Sequence, residues 1–181
     1  MRLAVGAVLV LVMAAGCVSV GPLPGGNDAP ARANATVTVT HVVDGDTIEV
    51  RFPDGSADTV RLLGIDAPET HVENEPDEFE GVPDTEAGRT CLRDAGRESG
   101  RWLADRVADD RVTLVFDPRA DERGGYGRLL AYVHENGTDV GYRLVATGRA
   151  RLYDGPFVRA DRYRAAEDRA QDRGIGLWRC R

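Results

Sequence analysis

The chain predicts an α+β fold in which five short strands close a small barrel and about three helices pack around it. Three observations carry this reading. Runs of alternating β-forming residues recur between residues 35 and 133, separated by turn residues. One amphipathic helical pattern lies between the third and fourth runs, and two more follow the fifth.

Ala35 to Val43 alternates Val and Thr and reads as the first strand. Thr47 to Phe52 is the second, closed by the turn Pro53-Asp54-Gly55, and Asp58 to Ile65 is the third. Short turns between them predict an antiparallel meander. His71 to Gly88 is acidic and lacks apolar rhythm, so a surface loop is expected there. Leu92, Ala95, Ser99, Trp102, Leu103 and Val107 share one helical face, predicting a helix over Asp94 to Asp109. Arg111 to Phe116 and Arg128 to Val133 supply the fourth and fifth strands, and Asn136-Gly137 a tight turn. Helices are expected over Val140 to Thr147 and Val158 to Asp172, with Gly174 ending the last and Ile175, Leu177 and Trp178 as an apolar anchor. Five strands with a helix between the third and fourth describe an OB-type barrel over residues 35–180.

The N-terminus has its own logic. Met1 to Cys17 has one positive residue, an apolar run too short for a comfortable membrane span, and small residues before a cysteine. Residues 1–17 read as a signal peptide whose Ala14-Ala15-Gly16-Cys17 forms a lipoprotein processing box, with Cys17 the lipidated residue. Ordinary secretion is the alternative. Residues 18–34, rich in Gly and Pro, read as a flexible tether. The expected location is extracytoplasmic, with a lipid anchor as the sole membrane contact. In that oxidising setting the pair Cys91 and Cys180 suggests a disulfide.

Charge narrows the function. The 181 residues carry a net charge of −7, and every fixed base is Arg. That balance disfavours a protein that coats nucleic acid by charge, though it leaves room for a site holding one or two phosphates.

Two segments carry chemistry. Asp44-Gly45-Asp46-Thr47 sits between two strands, where Gly45 lets the flanking carboxylates point the same way. Asp66-Ala67-Pro68-Glu69 follows the third strand, and Pro68 biases Ala67 toward an extended form that leaves its carbonyl able to coordinate. Asp46, Asp66 and the Ala67 carbonyl make an all-oxygen set suited to Ca²⁺. With three His and no paired Cys-His spacing, zinc is improbable.

Four ordered segments resemble the staphylococcal nuclease (thermonuclease) family: Asp44 to Thr47, Arg61-Leu62-Leu63-Gly64-Ile65-Asp66-Ala67-Pro68-Glu69-Thr70, Gly124 to Arg128, and Gly174 to Trp178. The resemblance implies an OB-fold enzyme with three helices that hydrolyses DNA and RNA with Ca²⁺ and leaves 3′-phosphorylated products. It implies Asp46, Asp66 and the Ala67 carbonyl as metal ligands, with Asp44 behind them or acting through water. Arg61 and Arg128 would hold the phosphate, Glu69 would orient or deprotonate the attacking water, and Tyr126 and Tyr153 would contact substrate. A monomer is expected. Gly125 stands where better-known members carry Lys, and the acidic insert at His71 to Gly88 is longer than the family's loop. The competing reading is a non-catalytic OB module that binds nucleic acid or protein, which would be expected to have lost one of these charged residues.

Overall fold

The computed structural model describes residues 33–181. The expected signal peptide, Cys17 and nearly all of the tether lie outside the described residues. Among those described, no helix is long and apolar enough to cross a membrane.

Five strands form a closed barrel. β1 (Ala35–Val42) pairs antiparallel with β2 (Thr47–Arg51), and β2 with β3 (Ala57–Leu62). Period-two alternation turns Val37, Val39, Ile48, Val50, Val60 and Leu62 inward, where all are buried. The third run does not continue to Ile65 as one strand. Gly64 adopts φ +78°, and a Cβ there would lie 2.5 Å from the Phe157 ring, so the backbone turns at a point only glycine fits. The chain resumes as β4 (Ile65–Asp66). β5 (Arg111–Val115) adds to the other edge of β1, and β6 (Leu129–Glu135) pairs with β5. β6 also runs parallel to β3, with Val60 opposite Leu129 and Leu62 opposite Ala131, which closes the barrel. β7 (Thr138–Asp139) folds back antiparallel on the end of β6, and β8 (Arg151–Leu152) pairs with β4.

Three α-helices pack on the barrel. α1 spans Glu86–Val107 and so starts well before the expected Asp94. Thr85 caps it by accepting the Gly88 N–H, and Leu92 in its second turn is fully buried, so a cap and an apolar contact extend the helix. α2 (Val140–Ala146) is capped by Asp139, and α3 (Ala160–Asp172) precedes a closing 3₁₀ turn at Gly176–Cys180.

The acidic segment keeps its carboxylates at the surface, as expected, but it is not solvated throughout. It contains a 3₁₀ turn at Pro76–Glu78, and Phe79 behind that turn is only 2% exposed. Phe79 and Val82 join Leu92, Leu177, Trp178 and Cys180 in a second small core outside the barrel. Sparse apolar residues among many acids hid this, because two inward side chains make no period. Cys91 and Cys180 are disulfide-bonded beside this cluster, with Cα atoms 5.6 Å apart.

Candidate active site

Three chain segments meet at one rim of the barrel. The first is the loop from β1 to β2. Asp44 Oδ1 accepts the Asp46 N–H at 3.0 Å, which folds the loop on itself. Gly45 is needed here for close approach, since a Cβ would sit 2.6 Å from that of Ala67 and 2.7 Å from that of Ser99 on α1. The loop is thereby pressed against the second segment, residues 66–69, and Asp46 Oδ2 accepts the Ala67 N–H at 2.9 Å.

Arg61, at the end of β3, ties the two carboxylates together. Its Nη1 is 3.1 Å from Asp46 Oδ1, and its Nη2 is 2.5 Å from Asp66 Oδ1. Burial pushes the Asp46 carboxyl up to about 7; Asp44 and Asp66 add to that push, against Arg61 and the Ala67 amide. Glu69 is also raised above the ordinary carboxylate range, by burial first and then by Asp44 and Asp66. Burial and repulsion from neighbouring carboxylates therefore both disfavour the ionised forms of Asp46 and Glu69, and Arg61 works against that in each case.

Arg128 arrives from the third segment, at the start of β6. Its Nη1 donates to Thr47 Oγ1 at 3.3 Å, and Thr47 in turn donates to Asp46 Oδ1 at 2.8 Å. Tyr126 is 90% exposed with the Arg128 guanidinium 5.6 Å from its ring centre; Tyr153 is 51% exposed with that of Arg61 at 5.7 Å. Arg61, Asp66, Glu69, Tyr126, Arg128 and Tyr153 all line one cleft of about 490 Å³. Asp46 lies beneath its floor, 3% exposed, and Asp44 stands behind it. Gly125 lines the same cleft with open space where a side chain would be.

The donor set suits a hard cation. Among the described residues no three His, Cys, Asp or Glu side chains form a metal-holding group on their own. An ion here would have Asp46 and Asp66 as side-chain ligands and would need carbonyl or water oxygens to complete its shell. Arg61, Arg151, the Thr47 hydroxyl and the Ala67 N–H engage all four oxygens of Asp46 and Asp66, so a bound ion would share or displace these donors.

Three residues of the site were not read from the sequence. Arg151 is the direct partner of Asp66 across β4 and β8, and its Nη2 lies 2.7 Å from Asp66 Oδ2. Glu78, from the acidic segment, lines the cleft 3.6 Å from the same nitrogen. Arg119 lines the same cleft. The short β4–β8 pairing leaves no periodic trace, so nothing local marked Arg151. Thr47, by contrast, lies within the Asp44 to Thr47 motif, and its hydroxyl links Arg128 to Asp46.

Residues 59–180 match the family described as staphylococcal nuclease homologue. An uncharacterized protein of Methanocaldococcus jannaschii is 33% identical over 147 residues, covering 77% of this chain and 70% of that one. An SPbeta prophage-derived endonuclease of Bacillus subtilis is 33% identical over 145 residues, 78% of this chain but 43% of its own length. A thermonuclease of Staphylococcus hyicus is 29% identical over 145 residues, covering 79% of this chain and 75% of its own. The matched region holds the barrel closure, Arg61, Asp66, Glu69 and Arg128, and the chain belongs to the staphylococcal nuclease homologue family.

Proposed function

We propose that this protein is an exported, Ca²⁺-dependent nuclease that hydrolyses phosphodiester bonds of DNA, RNA or both. The observation that carries the reading is the convergence of Arg61, Glu69 and Arg128 on one cleft beside the Asp46–Asp66 pair. The endonuclease and thermonuclease names of its relatives support the same reaction class.

The residues divide the chemistry among them. A cation held by Asp46, Asp66 and the Ala67 carbonyl would supply a Lewis acid for the phosphoryl oxygens. Arg61 and Arg128 present planar guanidinium groups from two sides, suited to the equatorial oxygens as charge builds on them. Lys would not offer that geometry. Glu69, its carboxyl raised above the ordinary range chiefly by burial, orients the attacking water or takes its proton. Tyr126 and Tyr153 offer exposed rings against which flanking nucleosides stack. Cleavage on the 5′ side, leaving 3′-phosphorylated ends, belongs to this reading, as do monomeric action and a signal peptide ending at Cys17 as a lipid anchor, with ordinary secretion as the alternative. The non-catalytic module is less favoured, because each charged residue of the cleft is present.

The test is direct. Purified protein should digest denatured DNA with Ca²⁺ and stop when a chelator is added. Oligonucleotide binding without cleavage under any divalent cation would favour the binding module instead.

A further inference from the structure

Two loops supply walls of the cleft. Residues 116–128, between β5 and β6, bring Arg119, Tyr126 and Arg128 to it; residues 153–159, between β8 and α3, bring Tyr153 and Phe157. One buried carboxylate joins them. Asp117, 7% exposed, accepts the Arg119 N–H through Oδ1 and the Val158 N–H through Oδ2, each at 2.8 Å. Oδ2 also accepts the hydroxyl of Tyr132 on β6. Asp117 thus takes a backbone donor from each wall and a side-chain donor from the barrel.

Its surroundings hold this arrangement in place. The Tyr132 hydroxyl accepts the Arg159 N–H at 3.4 Å, so the second wall is tied twice to the same point. The Arg159 guanidinium lies 3.9 Å from the Tyr132 ring centre and pairs with Asp139 at 2.6 Å. Phe157 and Tyr163 pack edge-on around Tyr132. Burial works to raise the Asp117 carboxyl, but the donors from Tyr132, Arg119, Val158 and Ala120 outweigh it and keep it below the ordinary range. It is a fixed anion with a full set of donors.

We propose that Asp117 is a positioning residue that clamps the two cleft walls together and so sets how firmly a nucleic-acid strand is held. The proposal rests on the nuclease reading above for its substrate. It does not touch the reacting groups. Asp46, Arg61, Asp66 and Glu69 stand on other segments, and Arg128 has its own tie to Thr47. Loosening the clamp should therefore loosen the grip on flanking nucleotides and spare the chemical step.

The experiment uses the full chain with Asp117→Asn and Tyr132→Phe, assayed on a single-stranded DNA oligonucleotide in Ca²⁺, well below each variant's melting temperature. The Asn variant should raise KM about tenfold with kcat within about twofold, and the Phe variant should shift KM the same way by about threefold. Amide hydrogen exchange should quicken in residues 118–127 and 153–158 together, in both variants. If Asp117→Asn does not fold, Tyr132→Phe carries the same readouts. Unchanged KM with unchanged exchange overturns the clamp, and so does a fall in kcat as large as the fall in kcat/KM. If the parent protein cleaves no nucleic acid, the nuclease reading fails, and the exchange measurement still decides whether Asp117 joins the walls.

Discussion

Asp66 and Arg151 face each other as direct partners across the β4–β8 ladder, and their side chains meet at 2.7 Å. Arg61 holds the other oxygen of the same carboxylate, so Asp66 is gripped from both sides. Replacing Arg151 with Met removes one grip and leaves Glu78 without that neighbour. The cation-free protein should lose about 1–3 kcal/mol of stability, the usual cost of stranding a mostly buried polar partner. Urea unfolding at neutral pH measures it, and an unchanged midpoint would show that the pair does not matter to the fold.

Glu69 is positioned through its backbone. Asn74, buried in the acidic segment, accepts the Glu69 N–H at 2.7 Å and donates to its carbonyl at 2.9 Å. Glu69→Gln should therefore cut kcat by about 10²-fold or more with little change in melting temperature. Asn74→Ala keeps the carboxylate but frees its backbone, and should lower kcat by about tenfold through misalignment. Initial rates beside thermal melts separate the two. Full activity in the Gln variant would remove Glu69 from the mechanism.

Without a cation, the raised carboxyls should make stability fall as pH rises, against a smaller opposite contribution from His134, which burial lowers. The Asp46 carboxyl is raised by burial to about 7 from 3.8, so between those values the folded state keeps a proton that the unfolded chain has released. Glu69 and Glu167 are raised by burial too and act in the same direction. A bound cation requires ionised carboxylates, so calcium should bind more tightly as pH rises and should release protons on binding. Melts at pH 5 and pH 7.5 in chelator, and calorimetry in two buffers of different ionisation heat, test this. A cation-free protein more stable at the higher pH would contradict it.

Asp44 also weighs on Glu69. Removing that charge by Asp44→Asn should ease ionisation of Glu69 and shift the acid limb of kcat/KM to lower pH at saturating calcium. A limb that stays in place would assign it to another group.

The Cys91–Cys180 bridge closes a loop with a sequence separation of 89 and sits beside the small core formed by Phe79, Val82 and Trp178. Reduction should lower stability by about 2–4 kcal/mol. Because Phe79 also lies beneath the Arg151 guanidinium, 5.3 Å from it, reduction should loosen the 76–82 segment before the barrel. Limited proteolysis with and without reductant reports which part opens first; cleavage inside the barrel strands would reverse that order.

The strands, their turns and the two later helices were legible because each carries its own period or breaker: Val37 and Val39 alternate, and Gly174 ends α3. The candidate chemical groups were legible because Asp44 to Thr47 and Arg61 to Thr70 are contiguous and chemically unusual. The start of α1 was not, since Thr85 caps a turn whose burial depends on a C-terminal segment far along the chain. Nor was the inward side of the acidic segment, where Phe79 and Val82 are scattered among carboxylates.

What the sequence determined by itself is a barrel of OB type with an oxygen-rich, arginine-bearing rim, because local alternation and short motifs need no distant partner to be read. How that rim is held depends on contacts made in the folded state: Arg151 opposite Asp66, Asn74 on the backbone of Glu69, and Asp117 joining the two loops. Those contacts join residues that are remote in the chain or lie in aperiodic loops. Their geometry exists only once the barrel has closed and brought the segments within hydrogen-bonding reach.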